Sequence, residues 1–324
     1  MRFSSLRFVA TCIAMCTAAS AFAADSYPAK PVKVIVPWTA GQATDAAARA
    51  VAERLGSSMK QPFIIDNRAG AGGGIGSDAV AKSPPDGYTL LAGSTGSVTV
   101  NPLLSKTNYD ADSFAPAGLI ATVPYVLITA ESFPAKDAKA LVALLQANPG
   151  KYSFASSGNG SIGHLISELF VSKIGAKASH IPYKGSSGAI VDVIAGRVDF
   201  MFDSVTSVLP HVKSGKVRAY ALSSAKRSTS LPDIAPLATA TDLRDFDLYA
   251  WIGLMAPKGT AEPVLNALNR GIQDAVMSKL VKDQYLTLGI ETVEASTPAE
   301  MSKLIAVERV RLGSLIKASN IKAD

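Results

Sequence analysis

From residue 30 onward, short apolar runs alternate with amphipathic stretches, and this order constrains the fold more than any other feature of the sequence. The runs KVIVPW (33–38), PFIIDN (62–67) and YTLLAG (88–93) are rich in β-branched and apolar residues and predict buried strands. Between these runs, residues 44–59 predict a helix with Thr44 or Asp45 as its N-cap, and residues 69–82 predict a Gly-rich turn followed by a helix. Strands that alternate with helices favour an α/β fold with a largely parallel sheet.

A second series of the same kind begins near residue 124 and predicts a second α/β unit. It contains VLITA, the helix AKALVALLQAN, the strand KYSFA and a helix that starts at Gly163, and it continues through GAIVDVIAG and the strand RVDFMFD to a short helix and RAYALSS. After LYAWIGLMAP, two long amphipathic helices are predicted at 261–280 and 298–318, with ETVEA as a strand between them. We therefore expect residues 24–123 and 250–324 to form one lobe and residues 124–249 to form a second. A cleft between two lobes is a common place for a small ligand.

The amino terminus has the pattern of a secretory signal peptide. Arg2 and Arg7 precede the apolar run FVATCIAMCTAAS, and Ala21-Phe22-Ala23 is a small-x-small cleavage site. We expect residues 1–23 to be removed and the mature protein to act in the periplasm. Both cysteines, Cys12 and Cys16, lie in this segment, so the mature chain has no disulfide and no thiolate for catalysis or metal binding.

Several functional classes are disfavoured by the composition and by missing motifs. The net charge is +6, but the basic residues are scattered and do not form the cluster that nucleic-acid binding needs. The run GIGSDA (74–79) fits a dinucleotide pattern, yet no acidic residue lies between Asp86 and Asp110 to bind a ribose. No Walker motif and no G-x-S-x-G nucleophile elbow occur, and His164 with Glu168 would supply only two ligands to a metal. We therefore expect no enzyme activity, no cofactor and no resident metal.

One local pattern recurs: a strand leads into a loop of small polar residues, which leads into a helix. The three loops are TAGQATD (39–45), STGS (94–97) and SSGNGS (156–161). Unpaired backbone N–H groups and the positive end of the helix favour an anion at such a junction. Each loop alone is also compatible with an ordinary strand-to-helix connection. Taken together, the three loops predict a site for a carboxylate between the lobes.

Longer motifs extend this pattern over the whole mature chain. They include YPAKPVKVIVPW, NRAGAGGGIGSDAVAKSPPDGYTLLAGSTG, ANPGKYSFASSGNGS, HIPYKG, GRVDFMFDS and LPHVKSGKVRAYALSSAKRS. In these motifs the chain resembles the periplasmic receptors of the tripartite tricarboxylate transporter family, the Bug receptors. The resemblance implies a type II periplasmic-binding-protein fold, in which two lobes close on a carboxylated solute. It also implies a monomer that docks transiently with a membrane permease of one large and one small subunit.

The resemblance assigns ligand contacts to the same loops. The residues expected to contact the ligand are Trp38, Thr39, Ala40, Gly41, Gln42 and Asp45 on the first loop, Ser94, Thr95, Gly96 and Ser97 on the second, Ser156, Ser157, Asn159, Gly160 and Ser161 on the third, His164 behind the third loop, and Asp203 at the end of FMFD.

The first loop departs from the family pattern V-P-F-P-P-G-G-x-x-D. Here Trp38 replaces the phenylalanine, both following prolines are absent, and Gln42 stands where the second glycine is usual. We interpret Trp38 either as a flat face for an aromatic ring or as core packing beneath the loop. The first interpretation favours an aromatic mono- or dicarboxylate of the phthalate type. The alternatives are an aliphatic di- or tricarboxylate, an amino acid, a ligand sensor without a permease or, least favoured, an exported hydrolase.

Overall fold

The computed structural model describes residues 27–318 and residue 321, and the predicted signal peptide, residues 1–23, lies outside the described residues. The strands are β1 (Val32–Val36), β2 (Phe63–Asn67), β3 (Thr89–Ser94), β4 (Phe114–Ala130), β5 (Tyr152–Ser156), β6 (Ala178–Pro182), β7 (Phe200–Ser204), β8 (Val217–Leu222) and β9 (Tyr249–Pro257). The helices are α1 (Ala43–Met59), α2 (Gly74–Ala81), α3 (Asn101–Leu104), α4 (Ala138–Ala147), α5 (Ile162–Lys173), α6 (Ser186–Ile194), α7 (Val205–Lys213), α8 (Leu237–Ala240), α9 (Glu262–Met277), α10 (Lys279–Leu288) and α11 (Pro298–Ala318). Short 3₁₀ turns lie at Ala71–Gly73 and Ala111–Ser113, and a π-helical turn spans Thr95–Val100.

The strands form one nine-stranded sheet in the order β2-β1-β3-β9-β4-β7-β5-β6, with β8 also paired to β4. Pairing is parallel from β1 to β2 and β3, and from β5 to β6 and β7. It is antiparallel wherever β4 or β9 takes part. The predicted parallel arrangement therefore holds only away from these two strands.

Strand β4 belongs to both halves of the sheet. Its residues 114–124 pair with β9, whereas residues 125–130 pair with β7 and β8. The chain also returns through β9, whose register with β4 begins at Tyr249 opposite Pro124. We call the strands β1, β2, β3 and β9 with the first part of β4 the first half, and the remaining strands the second half. The predicted division into two lobes that move as units stays a prediction.

Three parts of the secondary-structure prediction were wrong. Residues 261–280 do not form one helix, because α9 ends at Met277 and Ser278 caps a separate helix, α10, by accepting the N–H of Val281. The segment ETVEA makes a single backbone bridge, from Glu291 to Thr122, rather than a strand. The first helix starts at Ala43 after Gln42, so neither Thr44 nor Asp45 is its N-cap.

The central strands have few exposed side chains because helices cover both faces of the sheet. All five residues of β7 are buried, as are eight of the nine residues of β9. Continuous apolar runs of this kind are typical of strands that are covered on both faces. Within the described residues, no helix is long and apolar enough to cross a membrane. This packing leaves the carboxyl ends of β1, β3, β5 and β7 to carry the polar loops.

Candidate ligand-binding site

The first loop, between β1 and α1, is held in place by Asp45. Its Oδ2 accepts the Gly41 N–H at 2.9 Å and the Arg49 Nε–H at 3.0 Å, and its Oδ1 accepts from Asn67 Nδ2 at 2.9 Å. Burial raises the pKa of the Asp45 carboxyl, but these hydrogen bonds outweigh that effect, so the pKa lies below its ordinary value. The carboxylate is thus engaged within the first half and positions the loop.

Gln42 connects the two halves across the cleft. Its backbone is extended, and its side chain makes no cap bond to α1. Instead, Nε2 donates to Ser186 Oγ, the first residue of α6, at 2.8 Å. A Cβ built on Gly185 would stand 2.8 Å from Thr39 Oγ1, so the first loop and the chain before α6 also approach closely beside this bond. The halves therefore touch through side chains as well as through the strands that join them.

Beneath this contact lies a cavity of about 30 Å³, which we call the inner cavity. It is lined by Trp38, Gln42, Ala43, Thr44, Ser94, Tyr125, Ser157, Ile162, Ser186, Asp203, Ser204, Ala250 and Ile252. A volume of this size corresponds to about one water molecule. A second cavity of about 240 Å³, the outer cavity, lies on the other side of residues 38, 42 and 157, which line both.

Four helices begin at the inner cavity. Ala43, Ile162 and Ser186 are the first residues of α1, α5 and α6, and Ser204 is the N-cap of α7. All four residues line the cavity. The first turn of a helix carries unpaired N–H groups and a partial positive charge. The inner cavity therefore has an electropositive wall, although the described residues that line it include no Lys, Arg or His.

Asp203, at the end of β7, is the one acidic side chain among the residues that line the inner cavity. It is 3% exposed. Its Oδ1 accepts the N–H of Ser204 at 2.6 Å, whereas its Oδ2 has no hydrogen-bond partner among the described residues. Burial raises the pKa of Asp203 to about 6, against the lowering effect of the nearby Ser186 and Ser204. Burial and the charge of Asp203 also raise the pKa of the neighbouring Tyr125 phenol.

Trp38 separates the inner cavity from the outer one. It is 8% exposed and belongs to the main hydrophobic core, and its indole N–H donates to Ser94 Oγ at 3.1 Å. Its six-membered ring packs against glycines, because a Cβ on Gly96 would stand 3.1 Å from Cζ2 and one on Gly73 would stand 3.3 Å away. Gly73 also has a φ of 89°, which disfavours any other residue there. Trp38 thus combines core packing with a surface that borders both cavities.

The second loop mainly supports the Trp38 side chain. Ser94 is the one residue of this loop that lines a cavity. Ser94 and Ser97 form a reciprocal cap at the start of the π-helical turn. Thr95 Oγ1 accepts the Trp251 N–H from β9 at 2.8 Å, and Gly96 lies next to the Trp38 ring. Of the four residues predicted here, only Ser94 borders a cavity.

The third loop, between β5 and α5, is organised by its own side chains and by two stacked histidines. Ser161 caps α5 by accepting the N–H of His164 at 3.2 Å, and His164 Nδ1 accepts the Gly160 N–H at 3.3 Å. The proton of the neutral His164 ring is therefore on Nε2, which lies 3.7 Å from Glu168 Oε1. The His164 and His180 rings stack at 4.1 Å, and His180 Nε2 lies 2.7 Å from Ser156 Oγ.

Some residues of the third loop line a cavity, and the others support the loop. Ser157 borders both cavities and Asn159 borders the outer one, whereas Ser156, Gly160, Ser161 and His164 border neither. Among the described residues, no group of three or more His, Cys, Asp or Glu side chains could hold a metal ion.

The predicted site residues thus fall into two sets. Those that border a cavity are Trp38, Thr39, Gln42, Ser94, Ser157, Asn159 and Asp203. Those that border neither cavity are Ala40, Gly41, Asp45, Thr95, Gly96, Ser97, Ser156, Gly160, Ser161 and His164. Thr44, which lies in the predicted first loop, also borders the inner cavity, and the cavity-lining residues that lie outside the predicted loops include Tyr125, Ser186 and Ser204. Ser186 could have been found, because it follows HIPYKG at the start of an apolar helix.

The fold and the cleft together define a class: a two-lobed solute-binding protein of the periplasmic-binding-protein type. The periplasmic binding protein BugD, a solved structure, superposes on the chain with a TM-score of 0.85 at 32% identity, covering 92% of this chain and 100% of that one. The predicted fold class is thereby confirmed.

The family follows from sequence. Residues 47–321 match the model of TctC, the tripartite tricarboxylate transporter family receptor. The protein BugT of Bordetella pertussis (strain Tohama I) is 38% identical over 313 residues, which are 96% of this chain and 95% of BugT. The chain belongs to the tripartite tricarboxylate transporter receptor family. The structure of Rpa4515 from R. palustris with adipate has a TM-score of 0.86 at 31% identity and covers 91% of this chain and 99% of that one.

Proposed function

We propose that this protein captures a small carboxylate between its two lobes in the periplasm and delivers it to a two-subunit membrane permease. The observation that carries the proposal is the convergence of four helix starts on one cavity. Backbone N–H groups at helix starts bind carboxylates without a cationic side chain. The resemblance to a protein whose structure contains adipate agrees with this chemistry.

Binding requires the halves to separate and close again around the ligand. The inner cavity, at about 30 Å³, is too small for any dicarboxylate, whereas the outer cavity of about 240 Å³ is on the scale of a small acid. Residues 38, 42 and 157 form the partition between them. A small movement of the first loop relative to α6, with loss of the Gln42–Ser186 hydrogen bond, would join the two spaces. Residues 24–123 with 250–324 and residues 124–249 are the lobes that we expect to move.

We further propose that the carboxylate ligand is an aromatic acid. Trp38 and Tyr125 line the inner cavity and Tyr183 lines the outer one. Aromatic side chains on both sides of the partition favour a planar ring between them, in offset or edge-on geometry. Thr39 Oγ1 in the outer cavity is buried without a hydrogen-bond partner and offers a donor to a carboxylate at the ring's far end.

Isothermal titration of residues 24–324 tests the proposal. Benzoate, terephthalate and adipate would each be compared with the matched uncharged amide. Binding of at least one acid at micromolar concentration, about −8 kcal/mol, with no binding of its amide supports capture by a carboxylate. Failure of every acid overturns the function. Binding of adipate without either aromatic acid overturns only the aromatic form.

Delivery is tested separately in membrane vesicles that contain the cognate two-subunit permease. Uptake of the bound acid that depends on added receptor supports the transport role. Receptor that binds the acid but does not stimulate uptake indicates a sensor instead.

A further inference from the structure

The glycine-rich run after β2 lines the outer cavity and has an uncommon backbone. Residues 69–73 form part of the cavity wall. The four residues 70–73, which we call the glycine segment, all have a positive φ, between 48° at Ala71 and 127° at Gly70. A positive φ is uncommon for alanine and persists only where the surrounding structure holds it in place. The contacts of Ala71 therefore show what fixes the segment.

Asn101, the first residue of α3, holds the glycine segment. It is 1% exposed. Its Nδ2 donates to the carbonyl oxygen of Ala71 at 2.9 Å and to the phenol oxygen of Tyr109 at 3.0 Å. The Tyr109 hydroxyl in turn donates to the carbonyl oxygen of Ser97, in the second loop, at 2.7 Å. Both N–H groups of the Asn101 amide are used in this way, so its orientation is fixed and it links the glycine segment to the second loop.

The glycine segment and Asn101 meet the third loop across the cleft at very short range. A Cβ built on Gly72 would overlap the carbonyl oxygen of Asn159 and would stand 2.9 Å from Asn101 Oδ1. A Cβ built on Gly160 would stand 2.5 Å from the same Oδ1 and 3.2 Å from Asn101 Cα. Because contacts this short leave no space for a side chain, any residue other than glycine at position 72 or 160 would hold the two loops apart.

This contact separates the outer cavity from a neighbouring surface groove of about 430 Å³. Ala71 and Asn159 line both spaces, whereas Asn101 lines the groove and neither cavity. The outer cavity is also lined by Gln42, whose hydrogen bond to Ser186 joins the halves. The two halves therefore touch at two separate places around the outer cavity.

We propose that Asn101 is a positioning residue for closure of the cleft. By holding Ala71, it keeps the glycine segment in the conformation whose backbone fits against Asn159. Its own Oδ1 occupies the space beside Gly160, and the outer cavity is sealed from the groove when the lobes close on an acid. This inference rests on the proposed function and adds to it a residue that borders neither cavity.

The variant Gly72→Ala tests the contact between the loops. Its matched control is Gly175→Ala, because Gly175 has a similar φ of 66° but no atom within 4 Å of its Cβ position. Benzoate, terephthalate and adipate are titrated into both variants and into the parent. Since an overfilled contact opposes closure, we expect Gly72→Ala to bind the acids at least about 10-fold more weakly than Gly175→Ala. Equal affinities in the two folded variants overturn the proposal.

The variant Asn101→Asp tests the positioning role. It keeps the shape of the side chain but replaces the donor to Ala71 with an oxygen. We expect a loss of about 10-fold in acid affinity and faster amide hydrogen exchange at residues 69–76, with exchange in the buried strand β7 unchanged. A merely structural residue would instead accelerate exchange throughout the protein. Asn108→Asp, which adds the same charge at an exposed position in the groove, is the control and should change neither measurement.

The outcomes for this inference and for the proposed function are distinguishable. If the unmodified protein binds none of the three acids, both are overturned. If it binds an acid and Asn101→Asp keeps the affinity of its control, or keeps the parent's exchange at residues 69–76, only the role of Asn101 is overturned and the carboxylate receptor stands.

Discussion

Asp203 illustrates how the burial of a single ionisable side chain makes the stability of a protein depend on pH. Burial raises its pKa from 3.8 to about 6, so between these pH values the folded protein holds a proton that the unfolded chain has released. The contribution of Asp203 to stability is therefore fully present below pH 3.8 and is lost as the pH rises through 6. The ionised Asp203 carboxylate therefore lowers the free energy of unfolding at neutral pH.

We therefore expect Asp203→Asn to stabilise the protein without added ligand at pH 7.5. The gain in the free energy of unfolding should be up to about 3 kcal/mol, because a tenfold change in proton affinity corresponds to about 1.4 kcal/mol. Below pH 4 the gain should nearly vanish, because both side chains are then neutral. Urea unfolding at the two pH values measures the difference. An Asn variant that is less stable than the parent at pH 7.5 would contradict this account of Asp203.

The stability of variants at Trp38 tests whether its ring belongs to the hydrophobic core. Because its ring packs on Gly73 and Gly96 and its N–H bonds to Ser94, Trp38→Ala should cost about 3–5 kcal/mol of stability. Trp38→Phe should cost less, because most of the ring volume remains. Urea unfolding of both variants makes the comparison. A loss below about 1 kcal/mol for Trp38→Ala would show that the ring is not part of the core.

At the scale of elements, we expect ligand affinity to depend on the conformation of the first loop, which Asp45 holds in place. Asp45 borders neither cavity, yet its carboxylate holds the Gly41 N–H and the Asn67 amide. Asp45→Ala removes the acceptor of these partly exposed donors, at about 0.5–1.5 kcal/mol for each hydrogen bond lost. We expect lower stability and weaker ligand binding, measured by urea unfolding and titration. Glu53→Ala, on the exposed side of the same helix, is the control. Unchanged affinity in Asp45→Ala would show that the loop needs no such support.

Most elements could be predicted from local pattern, and the errors have physical causes. Strands β1, β2 and β3 lie within about two residues of the predicted bounds because β-branched runs end at turns. The long strand β4 was harder, because Pro116 and Pro124 argue against a strand. The break before α10 was missed because Ser278, and neither a Gly nor a Pro, separates it from α9.

The loops that form the site could be predicted from the sequence, but the residues of those loops that line the cavities could not. The polar loops after β1, β3 and β5 are visible in sequence, since small polar residues follow each strand. Which of their residues border the cavities depends on contacts between distant segments, such as Thr95 with Trp251. Ser204 and Tyr125 line the site because β4 and β7 pair with Tyr125 opposite Ser204. This register cannot be predicted from a local sequence pattern.

For the whole molecule, we expect the Gln42–Ser186 hydrogen bond to stabilise the closed arrangement of the two lobes relative to the open one. A hydrogen bond contributes about 0.5–1.5 kcal/mol, so Gln42→Ala should shift this balance toward the open form about 2- to 10-fold. Small-angle X-ray scattering without ligand should then show a larger radius of gyration than the parent. Gln61→Ala, at a position that lines neither cavity, should leave the radius unchanged. A radius that is equal in the Gln42 variant and the parent would exclude this role.

The position of a bound carboxylate is the most direct test of the central claim, that the helix starts between the lobes form the receptor's binding site. The measurement is a crystal structure of residues 24–324 with the tightest acid found by titration. We predict that its carboxylate lies within hydrogen-bond distance of backbone N–H groups at the starts of α1, α5, α6 or α7, enclosed by both halves. A ligand bound outside this cleft, or held there without any contact to a helix start, would contradict the account.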